Sequence, residues 1–338
     1  AVAQMRDRAL RKLGVGVIGV GFWGRNHARV LSELEEAELL AVCDVDGRRA
    51  EEVARAYGAD AYTDSSELLR RDDIEAVTIC TWSTVLASEA ERALRAGKHV
   101  LVEKPMAETA RRARELVELA DKMGLTLAVG FITRFNPGFV RVRELVEEGR
   151  IGDVLNLVAE RISRWPQRPW DVGVVKDLAI HDLDVMVDLM GELPELVYAR
   201  VSRVRRPDLD DRATIMLVFP GGEVGLVEAN WLTPYKIRRL RVVGTEGILN
   251  LDYLSQRVSL EGAGGESVLP GEWREPLRLE LQHFVRCVLD GREPLVTGRD
   301  GLLALALCEA AFISSSEGKP VHVEKALRAL GLPGELGP

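Results

Sequence analysis

Three short stretches of the chain hold residue types at spacings that chemistry can use. "DLAIHDLD" (177–184) sets Asp177 and His181 four apart. On a helix that spacing stacks a carboxylate and an imidazole on one face, one turn apart. A histidine with its ordinary pKa of about 6.5 exchanges protons near neutral pH, and a carboxylate one turn back can orient the ring and stabilise its charged form. "HVLVEKPMA" puts Glu103, Lys104 and Pro105 at the end of an apolar run. "GVIGVGFWGRN" contains Gly19-x-Gly21-x-x-Gly24, and Asp44 follows twenty residues after Gly24. In a strand–turn–helix the first glycine permits the tight turn, the second lets the backbone approach a pyrophosphate, and the third lets helix and strand pack closely. The later acid then grips an adenosine ribose. Each stretch also has a plain reading. An isolated D-x-x-x-H is more often a satisfied structural pair, and a lone lysine after a strand is usually solvated. One G-x-G-x-x-G in a chain with 31 glycines is a weak signal. Context has to decide.

The elements around these residues supply that context. Strands are expected at 15–20, 38–46, 76–81, 98–105 and 125–131. Helices are expected between them: about 24–34, 47–58 closed by Gly58, a segment ending at Ala96, and a stripe of Ala113, Leu116, Val117, Ala120 and Met123. Strands alternating with helices imply βαβ units and a doubly wound parallel sheet, a Rossmann domain over residues 1–130. After Thr133 the pattern changes to a helix over 138–148, a strand near 154–162 and the segment with Asp177 and His181. Residues 196–260 read almost entirely as strand, with a hairpin over 213–231 turning at Pro220-Gly221-Gly222, and the chain then returns to helix. Residues 131–338 are therefore expected to form an α/β domain with an open, mainly antiparallel sheet, used for substrate binding and oligomerisation. Ligands of a doubly wound sheet bind beyond the carboxyl ends of its strands, which is where Lys104 falls.

Taken together, "GVGFWG", "EKP" and "DLAIH" in this order resemble the glucose–fructose oxidoreductase / inositol dehydrogenase / MocA-like family over essentially the whole chain. "GFITRFNPGF" (130–139) is similar to that family's crossover into its second domain. "ANWLTPYKIRRLRVVGTEG" (229–247) is more particularly similar to the branch that oxidises UDP-N-acetylhexosamines at C3. One departure stands in "TWSTVL": Trp82 and Leu86 replace the Pro and His of the family's T-P-x-x-x-H. The resemblance implies an NAD-dependent dehydrogenase acting on a sugar or cyclitol hydroxyl. In it His181 is the acid–base group, Asp177 orients it and Lys104 relays the proton.

The cofactor set expected with that reading is Gly19, Gly21, Phe22, Trp23, Gly24, Asp44, Thr81, Trp82, Glu103 and Lys104. Asp44 favours NAD, because an acid repels the 2′-phosphate of NADP; Arg48 and Arg49 keep NADP open. The substrate set is Arg134, Asn136, Trp165, Arg168 and Tyr235, where an aromatic–arginine loop could stack on a sugar or uracil and hold a diphosphate. Lys236 is a further candidate, while Arg203, Arg205, Arg206 and the "KIRRLR" run read as the solvated face of a sheet.

Composition bounds the rest. A net charge of −8 argues against a general nucleic-acid binder. No apolar run reaches the ~20 residues of a membrane span, and "AVAQMRDRALRKLG" is charged, without a signal-peptide core. Cys43, Cys80, Cys287 and Cys308 form no C-x-x-C, so neither a metal site nor a disulfide framework is expected and a reducing cytoplasm is the simplest compartment. The open sheet needs its exposed face covered, which predicts a homodimer or homotetramer. Two other functions compete with the dehydrogenase: an NAD-dependent glycoside-cleaving enzyme that oxidises its substrate transiently, and a non-catalytic NAD sensor. An acid–base relay counts against the sensor.

Overall fold

The computed structural model describes residues 11–167 and 171–331. They fall into two compact units. The first takes in the chain up to Glu108, Arg112–Gly130 and Leu277–Gly301; the second takes in Thr109–Arg111, Phe131–Pro276 and the chain from Leu302 onward.

The first unit is a six-stranded, wholly parallel sheet in the order β3-β2-β1-β4-β5-β6. Its strands are β1 (Leu13–Ile18), β2 (Ala37–Cys43), β3 (Asp60–Tyr62), β4 (Ala76–Ile79), β5 (His99–Glu103) and β6 (Leu127–Gly130). Such a sheet is covered on both faces, so its central strands are largely apolar; every residue of β1 is buried. Helices α1 (Phe22–Glu33), α2 (Gly47–Tyr57), α3 (Ser65–Leu69), α4 (Ser83–Arg95) and α5 (Ala110–Met123) connect them. Helix α2 shows how local chemistry sets the bounds. The Asp46 carboxylate accepts from the amides of Arg48 and Arg49 at its start, and Gly58 ends it at φ 71°. The order reverses between β1 and β4, and this opens a crevice at the carboxyl ends of those strands. The short β3 and α3 were not expected; β3 has three residues and is mostly exposed, so it carries no apolar run to read. Late in the chain, residues 296–297 return to β6. The Val129 amide donates to the Val296 carbonyl, and Ala128 and Thr297 form an antiparallel bridge.

The second unit is a nine-stranded mixed sheet, β14-β13-β12-β11-β7-β10-β9-β8-β15, in which β8 is Leu196–Ser202, β11 Ile237–Gly244, β12 Ile248–Asp252 and β15 Val321–His322. Strand β7 (Val154–Ile162) is parallel to β10 (Val224–Asn230), and every other pairing is antiparallel. The expected hairpin is β9 (Arg212–Val218) with β10. The all-strand region runs beyond 260, because β13 (Arg257–Gly262) and β14 (Gly265–Leu269) form an edge hairpin whose Gly-rich turn hides it from a hydrophobic pattern. Alternation sets the core face: Ala213, Ile215 and Leu217 are buried while Arg212 and Thr214 are exposed.

Helix α7 (Ile180–Met190) follows directly on a π-helical turn, Val175–Ala179. Asp177 lies in that turn and His181 in the first α turn, so the expected single helix is a π-to-α junction. Single π turns often mark functional sites, because the wider turn re-aims the side chains on it. The helix can lie close to the sheet because β10 offers Gly225: a Cβ there would come 2.7 Å from the Met186 sulfur. No helix among the described residues is long and apolar enough to cross a membrane.

Candidate functional site

The glycine turn after β1 separates three requirements. Gly19 has φ 83°, and a Cβ on it would lie 2.8 Å from the Cys80 carbonyl carbon. Gly24 is tighter still, with its Cβ position 1.8 Å from the Gly19 oxygen. Both are needed for the fold itself. Gly21 is different: a Cβ there would meet nothing within 4 Å. The space over Gly21 is open, as close approach of a phosphate requires. Gly21 also caps α1 without any side-chain hydrogen bond, and the first turn carries no acid, so the positive end of the helix dipole is not neutralised from within.

Asp44 joins this turn to β2. Its Oδ2 accepts from the Val20 amide at 3.0 Å and its Oδ1 from the Asp46 amide at 3.0 Å. The Arg49 guanidinium spans both oxygens at 3.0 and 3.2 Å. The acid is thus aimed at the glycine turn but shared with an arginine, while Arg48 gives its amide to the Asp46 cap. Around the strand ends stand large apolar side chains with little cover: Val45 is 94% exposed, Phe22 70% and Trp82 54%. Uncovered apolar surface beside an anion-receiving turn suits a ligand with both a diphosphate and flat rings. These residues fit a dinucleotide. Thr81 lies against Gly19, whereas Leu86 is buried in the core and reaches no site.

Lys104 follows β5, half-buried, and its peptide bond to Pro105 is cis. Glu103, expected to line the cofactor, instead turns inward. Its Oε1 accepts from the Trp23 indole at 2.6 Å and lies 3.2 Å from His27 Nε2, and its Oε2 accepts from the Lys104 amide at 3.2 Å. Opposite it on β6, a Cβ at Gly130 would come 2.7 Å from Glu103 Oε1, so glycine is what leaves room for the carboxylate. Glu103 therefore ties the first turn of α1, through Trp23, to the backbone of Lys104. Beside it lies Glu280 on α8 (Pro276–Asp290), only 1% exposed, with neither carboxyl oxygen hydrogen-bonded. Burial pushes its pKa well above the usual carboxylate range, and the nearby charge of Glu103 raises it further. The sequence did carry a trace of it: an acid inside the Leu277, Leu281, Phe284 stripe of an amphipathic helix.

In the second unit, His181 is buried, with Nδ1 3.2 Å from the Thr133 hydroxyl and its ring edge-on to Phe131 at 5.9 Å. Asp177, also buried, lies one turn before it. The two acids after the histidine are each held by a buried arginine. Arg161 of β7 grips Asp182 through two bonds of 2.8 Å, and Arg134 grips Asp184 at 2.8 and 3.0 Å and also bonds Asp188. Arg134 and Asn136, expected to meet substrate, are engaged within the protein. Asn136 caps α6 (Pro137–Glu147) and donates to the Tyr253 carbonyl at 3.1 Å. Trp165 packs edge-on against Trp231 at 5.7 Å, with the Arg205 guanidinium 4.9 Å over its ring. Arg205 is thus part of an aromatic stack rather than merely a solvated face. Tyr235 is exposed. Arg168 lies outside the described residues. Sequence reading missed Thr133, Arg161 and Asp182, whose types alone gave no sign of convergence.

Two family models match the chain. One, described as an oxidoreductase family with an NAD-binding Rossmann fold, covers residues 13–131; the other, a GFO/IDH/MocA C-terminal domain, covers 139–250. The inositol 2-dehydrogenase of Rhizobium meliloti is 32% identical over 334 residues, spanning 91% of this chain and 98% of that protein. The UDP-N-acetylglucosamine 3-dehydrogenase of Acidithiobacillus ferrooxidans is 31% identical over 301 residues, 86% of this chain and 93% of that one. A solved structure of the enzyme of that name and organism has a TM-score of 0.83 at 29% identity, covering 90% and 98% of the two chains.

Two measurements check this geometry. Asp44→Ala should weaken NAD binding in calorimetric titration by roughly 1.5–3 kcal/mol, the scale of charge-assisted hydrogen bonds, and should weaken NADP less; unchanged NAD affinity would remove Asp44 from the site. Glu280→Gln tests the buried acid. An unfolded glutamate titrates near pH 4.3, and the folded pKa is raised. The wild type therefore loses stability as pH rises from there through the folded pKa, and the amide does not. The melting-temperature advantage of Glu280→Gln should be smallest near pH 4 and grow toward pH 8; a difference independent of pH would show that Glu280 is not held neutral.

Proposed function

The chain belongs to the GFO/IDH/MocA family of NAD-binding oxidoreductases, and from that premise we propose that it oxidises a secondary hydroxyl of a ring polyol, with Lys104, Asp177 and His181 handling the proton. Bound NAD supplies the hydride acceptor, and the protein supplies orientation and proton transfer. The Gly19–Gly24 turn, Asp44, Thr81 and the Phe22 and Trp82 side chains hold the dinucleotide. His181 takes the hydroxyl proton at Nε2, with Nδ1 fixed on Thr133. Asp177 supports the charged ring, and Lys104 bonds the substrate oxygen and passes the proton on. Trp165 and Tyr235 offer aromatic surface to the sugar, while Arg134 and Asn136 position the helices around it. Relatives named inositol 2-dehydrogenase and UDP-N-acetylglucosamine 3-dehydrogenase mark the range of rings in view.

The observation that carries this reading is the fixed placement of His181: a buried imidazole, its Nδ1 3.2 Å from the Thr133 hydroxyl, on a helix whose next two acids are each locked by an arginine. A histidine that only filled core would need no such framing. The outward face of the second sheet supports self-association as well. Val158 and Leu226 are direct neighbours across β7 and β10, both more than a third exposed. We take that face to join copies of the chain in a dimer or tetramer.

A screen of inositols, hexoses and UDP-sugars for accumulating NADH identifies the substrate; turnover without NADH accumulation would point instead to transient oxidation. On that substrate His181→Ala should cut kcat ~10²–10⁴-fold with NAD affinity nearly unchanged, and the pH–rate profile should lose one ionisation. Lys104→Ala is the comparator. Full turnover in both variants would end this mechanism. Sedimentation at micromolar concentration should give two or four copies, and a monomer would sink the interface.

A further inference from the structure

The "KIRRLR" run of β11 (Ile237–Gly244) does not lie wholly on a solvated face. Arg239 and Arg241 point outward, but strand alternation turns Arg238 inward, where it is only 9% exposed. Its cross-strand partner in the β7–β11 ladder is Arg161. Two like charges directly opposite each other on one face repel, and a buried cation needs a counter-ion. Arg161 has one in Asp182. Among the described residues Arg238 has none: Nη1 donates to the carbonyls of Ile162 and Ile237, both at 2.8 Å, and neither is charged.

The fork formed by Nε and Nη2 has no hydrogen-bond acceptor among the described residues, and the residue keeps 9% of its surface exposed. That edge of a guanidinium matches the two oxygens of a carboxylate or phosphate. Burial and the repulsion of Arg161 push Arg238 down to about 10, outweighing the attraction of Asp182 and Asp177. Lys236 adds a third cation. The residue is exposed at the surface, yet partial desolvation, Arg238 and Arg161 all lower its pKa. The Tyr253 hydroxyl, buried and without a partner, lies in the same field, under the Arg161 guanidinium at 5.3 Å from the ring centre.

We propose that the Nε–Nη2 fork of Arg238, assisted by Lys236, receives an anionic group, a carboxylate or a phosphate, carried by the polyol substrate. This rests on the dehydrogenase reading above and narrows it. The substrate is a charged sugar, such as a uronate or a sugar joined to phosphate, rather than a neutral cyclitol. Arg238 reaches the reacting ring's neighbourhood through Arg161, whose carboxylate partner Asp182 is the residue after His181. The anion completes a charge balance that the protein leaves open.

Calorimetry on the full chain with NAD bound tests this with glucose, glucuronate and glucose 1-phosphate. Wild type should bind at least one anionic sugar ~10-fold or more tighter than glucose, with the margin shrinking in high salt. The preferred anion distinguishes carboxylate from phosphate. Arg238→Met should cut the anionic-to-neutral ratio ~10–100-fold. Arg238→Lys, which keeps the charge and loses the fork, should fall between. Lys236→Met, at an exposed position where folding is not at stake, should lower the ratio a few-fold. A ratio near one in wild type, no binding of either anion at millimolar concentration, or a ratio unmoved in both Met variants overturns the proposal. A protein that binds the anion through Arg238 but forms no NADH from any polyol would instead refute the dehydrogenase reading and leave the fork standing.

Discussion

A charge removed from water must find its opposite, and the second unit is arranged around that demand. The helix that carries His181 is mostly apolar, yet it takes Asp182 and Asp184 into the interior, each met by a buried arginine from a different element. Breaking one of these pairs would strand a charge at a cost of about 3–5 kcal/mol, far more than a surface ion pair is worth. The pairs therefore act as locks on rotation and register. Arg161 fixes the helix to β7, Arg134 fixes it to the turn after β6, and the imidazole just before the two acids has little freedom to wander. Precise placement of this imidazole comes from ionic pairs rather than from apolar packing, which tolerates small slips.

The first unit meets a related demand with backbone economy. Asp44 gives an acceptor to the Val20 amide and so joins the ends of β1 and β2 at the crevice where the strand order reverses. Glu103 does the same between the first turn of α1 and the Lys104 backbone that follows β5. Both acids sit at the carboxyl ends of strands and both take up backbone or indole donors that would otherwise have no partner there. Their placement means that the glycine turn after β1 and the turn bearing Lys104 are parts of one hydrogen-bonded frame.

Much of this was legible in the sequence, and for identifiable reasons. Buried parallel strands are continuous apolar runs, so β1, β2, β4, β5 and β6 announce themselves, as does the hairpin turning at Pro220-Gly221-Gly222. The glycine turn, Asp44 and Lys104 were readable because their spacing is fixed by a strand–turn–helix that allows few alternatives. What escaped depends on contacts distant in sequence. Thr133 meets His181 across 48 positions and Arg161 meets Asp182 across 21, and no local pattern encodes either. The π turn before α7 is invisible because its residues are as apolar as any helix. The "KIRRLR" run misled for a simple reason: four cations within six residues suggest solvent, while the period of two in a strand sends Arg238 inward.

The return of residues 277–301 to the first unit bears on the order in which this protein can be made. The parallel sheet is encoded before residue 131, but the segment that bridges the edge of β6, and the helix that carries Glu280, emerge only after all but the last strand of the second sheet has been synthesised. At roughly 5–20 residues per second, the ribosome takes on the order of ten seconds or more to cover that distance. Throughout that interval the nascent Rossmann sheet has an uncapped edge, the type of surface that recruits other strands. The two units are separable as objects, yet neither is an autonomous product of translation: the first is closed by the chain's last third.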